Sequence, residues 1–89
     1  MDIPEDTRDD LLRRLRRAEG QVRAVQRMLE ENAECRDLVT QISAASRAID
    51  QVGFRLLATG MFQCAEDPER AAAEGYPMAE IERLFTKLA

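Results

Sequence analysis

The first third of the chain carries apolar residues at alternating spacings of four and three, the pattern of a helix that packs along one seam. Pro4 lies in a short polar leader, and Thr7 with Asp10 three residues later resembles a capping box. These signals predict a first helix from about Thr7 to Glu30. Its apolar seam consists of Leu11, Leu15, Ala18, Val22, Val25 and Leu29.

A second stretch repeats this spacing, and Asn32 is a suitable N-cap ahead of it, with Glu34 in the first turn. The pattern predicts a second helix from about Ala33 to Ala65. Its seam consists of Leu38, Ile42, Ala45, Ile49, Val52 and Leu56. Two long helices with matching seams predict an antiparallel helical hairpin.

The last quarter of the chain predicts shorter elements. Asp67 and Pro68 are typical of an N-cap and a first helical position, and Gly75 is typical of a helix stop. Residues 68 to 74 are therefore expected to form a short helix or a turn. A last helix is expected from Pro77, with the apolar residues Met78, Ile81, Leu84, Phe85 and Leu88.

Composition supports a helical domain that assembles with copies of itself. Of the 89 residues, 45% are apolar and 34% are charged, with only 4 Gly and 3 Pro, so we predict an all-α fold. We expect one domain over residues 1–89 and, because so short a chain buries little surface alone, a homo-oligomer. The chain has no membrane-length apolar run and no signal-peptide pattern, which predicts a cytoplasmic protein without a membrane partner.

The residue types that are missing restrict the chemistry. The chain has no His and no Trp, and its two Cys do not form a C-x-x-C motif. It therefore lacks the usual general base and every Ser–His or Cys–His nucleophile pair, and we expect that it is not an enzyme. In a reducing compartment, two cysteines are more typical of a reactive or metal-binding pair than of a structural disulfide.

Positive charge is concentrated in the first helix, although the whole chain has a net charge of −4. Between Arg8 and Arg27, seven arginines stand against three acidic residues. On a wheel of about 100° per residue, most of these arginines lie opposite the seam, where they meet either phosphates or solvent. On that side lie Arg13, Arg16, Arg23 and Arg27, with Arg14 and Arg17 on the flanks.

Cys35 and Cys64 lie near opposite ends of the second helix, along one edge of its seam. Their separation is roughly 43 Å along a helix, whereas a disulfide requires Cα atoms within about 7 Å. A partner helix, antiparallel about a two-fold axis near Ile49 and Asp50, would place Cys35 of one chain beside Cys64 of the other. The alternative is that both are small apolar residues of a helix seam.

The two thiols are expected to differ in reactivity. Cys35 lies near the N-terminus of the second helix and next to Arg36, both of which favour a thiolate, whereas the helix C-terminus near Cys64 disfavours one. Cys35 is therefore the expected attacking thiol and Cys64 the resolving thiol.

Four segments of the chain resemble the copper-sensitive-operon-repressor (CsoR) family of bacterial transcriptional regulators. They are residues 12–23 (LRRLRRAEGQVR), residues 27–31 (RMLEE), Cys35 and residues 40–44 (TQISA). The resemblance covers nearly the whole chain. It implies a homodimer that pairs into a homotetramer, binds double-stranded operator DNA as a repressor, and releases it when an inducer reaches an intersubunit site at the ends of the second helix.

The resemblance also restricts the inducer. Copper-sensing members have a Cys followed by a His-x-x-x-Cys motif, which falls on Cys35 and Cys64 with Gly60 at the His position. Two thiols without an imidazole resemble the persulfide-sensing (CstR-like) branch, which implies a sulfane-sulfur inducer and no cofactor. One alternative is a Cu(I)-responsive repressor that uses the two thiolates as ligands. A lower alternative is a structural coiled-coil adaptor with inert cysteines.

Three further positions follow from the resemblance. The DNA-contacting arginine of the first helix corresponds to Arg14, whereas a basic position in the middle of the second helix corresponds to Gln51. DNA contacts are therefore expected to depend more on the first helix, through Arg13, Arg16, Arg17 and Arg23 beside Arg14. The operator is expected to be read largely through shape and phosphates. An acidic position of the last helix is kept as Glu80.

Overall fold

The computed structural model describes residues 1–89 and contains four helices and no strand. They are α1 (Glu5–Glu30), α2 (Cys35–Glu66), α3 (Pro68–Ala73) and α4 (Met78–Leu88). The first two form the long hairpin, and α3 and α4 both pack against α2. The predicted all-α fold, with its hairpin and short C-terminal helix, is confirmed.

The start of α1 lies two residues before the predicted one. Pro4 is the N-cap, no side chain caps this terminus, and Glu5 and Asp6 occupy the first turn, where negative charge suits the helix dipole. The capping box predicted from Thr7 and Asp10 is therefore wrong. Asp10 binds arginine side chains one turn further along α1 instead.

Asn32 follows the C-cap of α1 and does not cap α2, contrary to the prediction. Its φ of 56° is the left-handed conformation that Asn tolerates just after a helix. The N-cap of α2 is Glu34, whose carboxylate accepts a hydrogen bond from the Arg36 amide at 2.8 Å. Cys35 is therefore the first helical residue of α2, whereas the predicted start at about Ala33 made it the third.

The face of α1 that packs on α2 is rotated from the predicted seam. Leu11 and Ala18 are buried as expected, whereas Leu15, Val22 and Leu29 remain exposed. On the helical wheel the covered face is displaced by roughly 60°. It takes in Asp10, Arg14, Gln21 and Met28, which are all half-buried. The apolar surface of α1 is thus wider than its contact with α2.

The end of the chain folds as predicted. The Asp67 carboxylate caps α3 through the Arg70 amide at 3.1 Å, and Gly75 ends the helix region with a φ of 89°. In α4, Ile81 is only 2% exposed. It packs with Cys64 and Ala71 in a small cluster that joins α2, α3 and α4.

The molecule is one helix layer thick. Its extents are 54 × 26 × 14 Å, and its radius of gyration of 16.8 Å far exceeds the value of about 12 Å expected for a compact chain of this length. Only 8 of the 89 residues are buried. A single layer leaves one face of each long helix uncovered. None of the four helices combines the length and the apolar character that a membrane crossing requires.

Candidate inducer site and nucleic-acid interface

The two cysteines lie at opposite ends of α2, and one chain does not bring them together. Both are free thiols; Cys35 is exposed and Cys64 is buried. No group of three or more His, Cys, Asp or Glu side chains within the chain is placed to hold a metal ion. Any site that uses both thiols must therefore be completed by a second chain.

The surroundings of Cys35 are open and acidic. The Glu34 carboxylate accepts a hydrogen bond from the backbone amide of Arg36 at the N-terminus of α2, and Asp37 lies in the same first turn. One of the amides expected to face the Cys35 thiol is thus hydrogen-bonded to the Glu34 side chain instead.

The surroundings of Cys64 are closed. Its thiol donates a hydrogen bond to the Tyr76 carbonyl oxygen, with Sγ and O 3.0 Å apart. Ala71 and Ile81 pack against it, and Tyr76 covers the cluster. The segment between α3 and α4 thus both shields this thiol and accepts its hydrogen bond.

One turn before Cys64, Gly60 takes part in a close approach of three elements. A Cβ at Gly60 would lie 2.7 Å from Ile81 Cδ1 of α4 and 3.0 Å from Met1 Sδ. The chain start is held here by the Gln63 amide, which donates a hydrogen bond to the Asp2 carbonyl. No spacing rule points to Met1, since the leader is polar and its return to the far end of α2 is a long-range contact.

One edge of α2 is covered along half of its length. On the helical wheel Cys35, Ile42, Ile49, Gly60 and Cys64 fall within an arc of roughly 60°. Toward the C-terminus α3 and α4 cover this edge, whereas Ile42 and Ile49 are about half exposed, at 51% and 49%. The uncovered half is an apolar stripe that begins at Cys35.

Four of the five arginines of α1 that were predicted to contact phosphates form an exposed basic surface. Those exposed are Arg13, Arg16, Arg17 and Arg23. Two of them make exposed ion pairs along the helix, Arg23 with Glu19 at 3.1 Å and Arg13 with Asp10 at 3.5 Å. Such pairs are weak and leave the guanidinium groups available to a polyanion.

Arg14 differs from the other four arginines. Its side chain is half-buried on the face toward α2, and its Nε donates a hydrogen bond to Asp10 Oδ2 at 3.0 Å. That hydrogen bond lowers the pKa of Asp10 below its ordinary value, and the hydrogen bond from Arg13 and the nearby charge of Arg55 act in the same direction. The Asp10 carboxylate is therefore stabilised in its charged form by arginines of both long helices.

Arg55 is a basic residue that the sequence interpretation missed. It is exposed on α2, one turn from Gln51, and lines a shallow groove with Asp10 and Phe62. The spacing of four residues from Gln51 was a usable signal, because residues four apart share one helix face. The basic surface thus extends from α1 onto α2.

Glu80 forms hydrogen bonds within α4. Its carboxylate accepts hydrogen bonds from Arg83 Nε at 2.9 Å and Nη2 at 2.6 Å. These bonds lower the pKa of Glu80 and raise that of Arg83. In the single chain this acidic position stabilises the first turn of α4.

The chain is a basic helical hairpin with a thiol at each end of its second helix. Residues 7–88 match the model of the family described as "Metal-sensitive transcriptional repressor". The chain belongs to this family and is a metal-sensing transcriptional repressor of the CsoR type. The match covers nearly the entire chain, including both cysteines and the arginines of α1.

Two curated relatives are copper-sensing transcriptional repressors. The chain is 45% identical to RicR of Mycobacterium tuberculosis over 73 residues, which is 82% of this chain and 73% of the relative. It is 34% identical to CsoR of Bacillus subtilis over 80 residues, which is 90% of this chain and 79% of the relative. The chain is therefore a regulator and not an enzyme.

A solved structure shares the fold. The copper-sensing repressor CsoR with Cu(I) from Geobacillus thermodenitrificans NG80-2 superposes with a TM-score of 0.74 at 34% identity, over 99% of this chain and 88% of that one. These relatives support the family resemblance. They do not support the persulfide-sensing branch, because each is described as a copper sensor.

Proposed function

We propose that this protein is a Cu(I)-responsive repressor that binds double-stranded operator DNA and releases it when Cu(I) joins Cys35 of one chain to Cys64 of another. All 89 residues then act as one DNA-binding and sensor domain. The observation that carries the proposal is the placement of a buried and an exposed thiol at the two ends of one edge of α2. The copper-sensing relatives favour Cu(I) over other inducers.

The proposed assembly follows from the uncovered stripe of α2. Two α2 helices that run antiparallel about an axis near Ile49 and Asp50 bury this stripe and bring each exposed Cys35 to a buried Cys64. The exposed apolar edge of α1, with Leu15, Val22 and Leu29, remains for pairing of two dimers into a tetramer. Each dimer then carries two identical sites.

The donor set fits Cu(I). Thiolates are soft ligands that select this ion over hard cations, and the apolar packing of Ile81 and Ala71 around Cys64 keeps water from the sulfur. Cys35 of one chain and Cys64 of another would hold Cu(I), which would link the two chains when bound. To take part, Cys64 gives up its proton and its hydrogen bond to Tyr76, while the exposed Cys35 needs no rearrangement of its own chain.

The DNA-binding surface is proposed to be the basic face of the hairpin. It comprises Arg13, Arg14, Arg16, Arg17 and Arg23 of α1, joined by Arg55 of α2. A link between two α2 helices changes the relative tilt of the α1 helices that they carry, so the linked state fits a duplex less well. Phosphate contacts make this binding steeply dependent on salt.

A DNA-release experiment tests the proposal. A labelled duplex is selected from a random library with the metal-free, reduced protein, and binding is followed by fluorescence anisotropy under anaerobic conditions. Cu(I) is expected to release the duplex from the wild type but not from Cys35→Ser or Cys64→Ser. Failure of the reduced protein to select any duplex would favour the coiled-coil adaptor, and release by Cu(I) from both variants would remove the thiols from the mechanism.

A second candidate inducer is a sulfane-sulfur species, favoured by one observation: the chain has two thiols and no histidine. The Cys35 thiolate would attack the outer sulfur of a persulfide and release the parent thiolate. The Cys64 thiolate of the partner chain would then attack the Cys35 sulfur of that persulfide, forming a disulfide and expelling hydrosulfide. Against this route, Cys64 is shielded by Tyr76 and α4.

The same duplex distinguishes the two inducers. Polysulfide is added in place of Cu(I), and a non-reducing gel is run beside the anisotropy measurement. A covalent dimer that releases DNA, absent in Cys35→Ala and Cys64→Ala, together with no response to Cu(I), would replace the copper proposal with the sulfane-sulfur one. Release by Cu(I) without a polysulfide cross-link would exclude the second candidate.

A further inference from the structure

The N-terminal segment lies against the Cys64 end of α2. The Gln63 side chain binds the Asp2 carbonyl, and Met1 is half-buried with its sulfur against the backbone of Gly60. The Met1 Sδ lies 3.0 Å from the point that a Cβ on Gly60 would occupy. A thioether thus fills the space that a side chain at residue 60 would otherwise take.

This position is one helical turn from Cys64. Side chains four residues apart on a helix have Cβ atoms about 5–6 Å apart, a distance that two sulfur ligands of one metal ion readily span. The Met side chain has three rotatable bonds and a soft, polarisable sulfur, and thioethers are among the ligands that select Cu(I). Because Gly60 has no side chain, nothing of α2 separates the Met1 sulfur from the Cys64 side of the helix.

Resting on the proposed function, we propose that Met1 is a third ligand of the intersubunit copper site, beside Cys64 of its own chain and Cys35 of the partner. The site is then an all-sulfur one, with two thiolates and one thioether. The N-terminal segment serves as part of the sensor, since its attachment to Gln63 holds the thioether in place before the metal arrives.

Other methionines provide controls. Met61 and Met78 line a groove on the α4 side together with Phe85, and Met61 is exposed. If Met1 served only to pack against Gly60, Leu would replace it with little change, because Met and Leu are similar in volume. Met1→Leu therefore separates ligation from packing, and Met61→Leu is the matched control.

The test uses protein made behind a fusion that is removed without extra residues, so that the first residue can be chosen freely. Selenomethionine replaces all 4 methionines, and the Cu(I)-loaded protein is examined by X-ray absorption at the copper edge. A copper–selenium contribution is expected for the wild type and for Met61→Leu, and it should vanish for Met1→Leu.

Affinity for Cu(I), measured by competition with a chromophoric chelator, gives a second readout. Met1→Leu should lower it by at least the roughly tenfold that loss of a supporting group costs at a metal site, whereas Met61→Leu should leave it unchanged. Cu(I) bound to two sulfurs, with no selenium neighbour and no loss of affinity in Met1→Leu, would overturn the Met1 assignment and leave the proposed function intact. A wild type that binds no Cu(I) would overturn both.

Discussion

The Cys64 thiol donates a hydrogen bond to the Tyr76 carbonyl oxygen at 3.0 Å, which links this buried thiol to the segment between α3 and α4. A metal-bound thiolate has no hydrogen to donate, and its negative charge opposes the carbonyl dipole. Loss of the Cys64 proton should therefore displace the Tyr76 backbone. That displacement should also shift α3 and α4, which flank Tyr76 and pack against α2.

Tyr76 reports this change directly. The chain contains 1 Tyr and no Trp, so excitation at wavelengths longer than the phenylalanine absorption band gives emission from this ring alone. Addition of Cu(I) to the reduced protein is expected to change Tyr76 emission measurably, reaching its end point at one ion per chain. The same titration of Cys64→Ala should give no saturating change, and an unaltered wild-type spectrum with bound Cu(I) would show that the hydrogen bond does not couple the two groups.

Gly60→His offers a second test of the site. An imidazole here would add a strong ligand one turn from Cys64, while Ile81 Cδ1 and the Met1 side chain must shift to admit a Cβ. Both obstructing groups are ends of flexible side chains, so folding should survive. Affinity for Cu(I) is expected to rise about tenfold or more, comparable to the change that a site-supporting group produces.

Gly60→Ala controls for crowding in that experiment. It introduces the same Cβ without a ligand and should bind Cu(I) no more tightly than the wild type. Equal gains in Gly60→His and Gly60→Ala would mean that packing, and not the imidazole, sets the affinity.

The candidate site could be predicted from the sequence only in part. The spacing of Cys35 and Cys64 excluded a single-chain site, and the structure agrees, because they lie at the two ends of one unbroken helix. The contacts of Met1 and Tyr76 were out of reach, because each depends on how a segment without a periodic pattern returns to α2. Arg55 was recoverable, since it shares a helix face with Gln51.

Asp10 should limit DNA binding. Its carboxylate holds Arg14 at 3.0 Å and Arg13 at 3.5 Å, so Asp10→Asn frees both guanidinium groups and raises the local charge. We expect tighter binding of the selected duplex, with a plot of log affinity against log salt that is steeper by about 0.9 for each additional phosphate that the variant neutralises. An affinity and a slope equal to those of the wild type would show that Asp10 does not compete with the duplex.

Loss of arginines should have the opposite effect. Arg14→Ala, Arg16→Ala and Arg55→Ala should each weaken binding and make the salt dependence shallower by about 0.9 for each phosphate that is no longer neutralised. Arg70→Ala is the control, because Arg70 lies on α3 and pairs only with Glu74 at its own helix. If all four variants bound the duplex as tightly as the wild type, the DNA would lie elsewhere on the molecule.

Ile49→Asp should separate the chains without unfolding them. Ile49 is 49% exposed in the single chain, so a carboxylate there costs the fold little, whereas it becomes buried where two α2 stripes meet. Dimerisation measured by sedimentation is expected to weaken about hundredfold or more, which corresponds to about 2.7 kcal/mol.

Thr40→Asp adds the same charge away from this stripe of α2, where Thr40 is exposed, and should leave the oligomer intact. Sedimentation of Ile49→Asp identical to the wild type would place the two-fold axis away from this stripe.

The fold was largely predictable from periodicity, and the errors have two physical origins. Alternating spacings identified both long helices and the hairpin, yet the covered face of α1 includes Arg14 and Gln21 and leaves Leu15 exposed. Apolar spacing shows the whole apolar surface of a helix and does not show which part of it is buried within one chain. The helix starts failed for a local reason, since Pro4 and Glu34 acted as N-caps in place of Thr7 and Asn32.

Stability at low pH should depend on Glu80. The hydrogen bonds from Arg83 hold the pKa of this carboxyl below its ordinary value of 4.5, so the folded state favours the charged form. Its contribution is therefore fully present above the ordinary pKa and is lost as the pH falls through the lowered one. In urea unfolding, Glu80→Gln should lower the midpoint slightly at neutral pH, and the difference from the wild type should shrink toward zero as the solution is acidified through and below that lowered pKa.

Glu82→Gln is the control, at an exposed neighbour that makes no ion pair, and its unfolding midpoint should follow that of the wild type at every pH. A Glu80→Gln deficit that persists unchanged in acid would show that the carboxylate acts through the shape of the first turn of α4 and not through its charge.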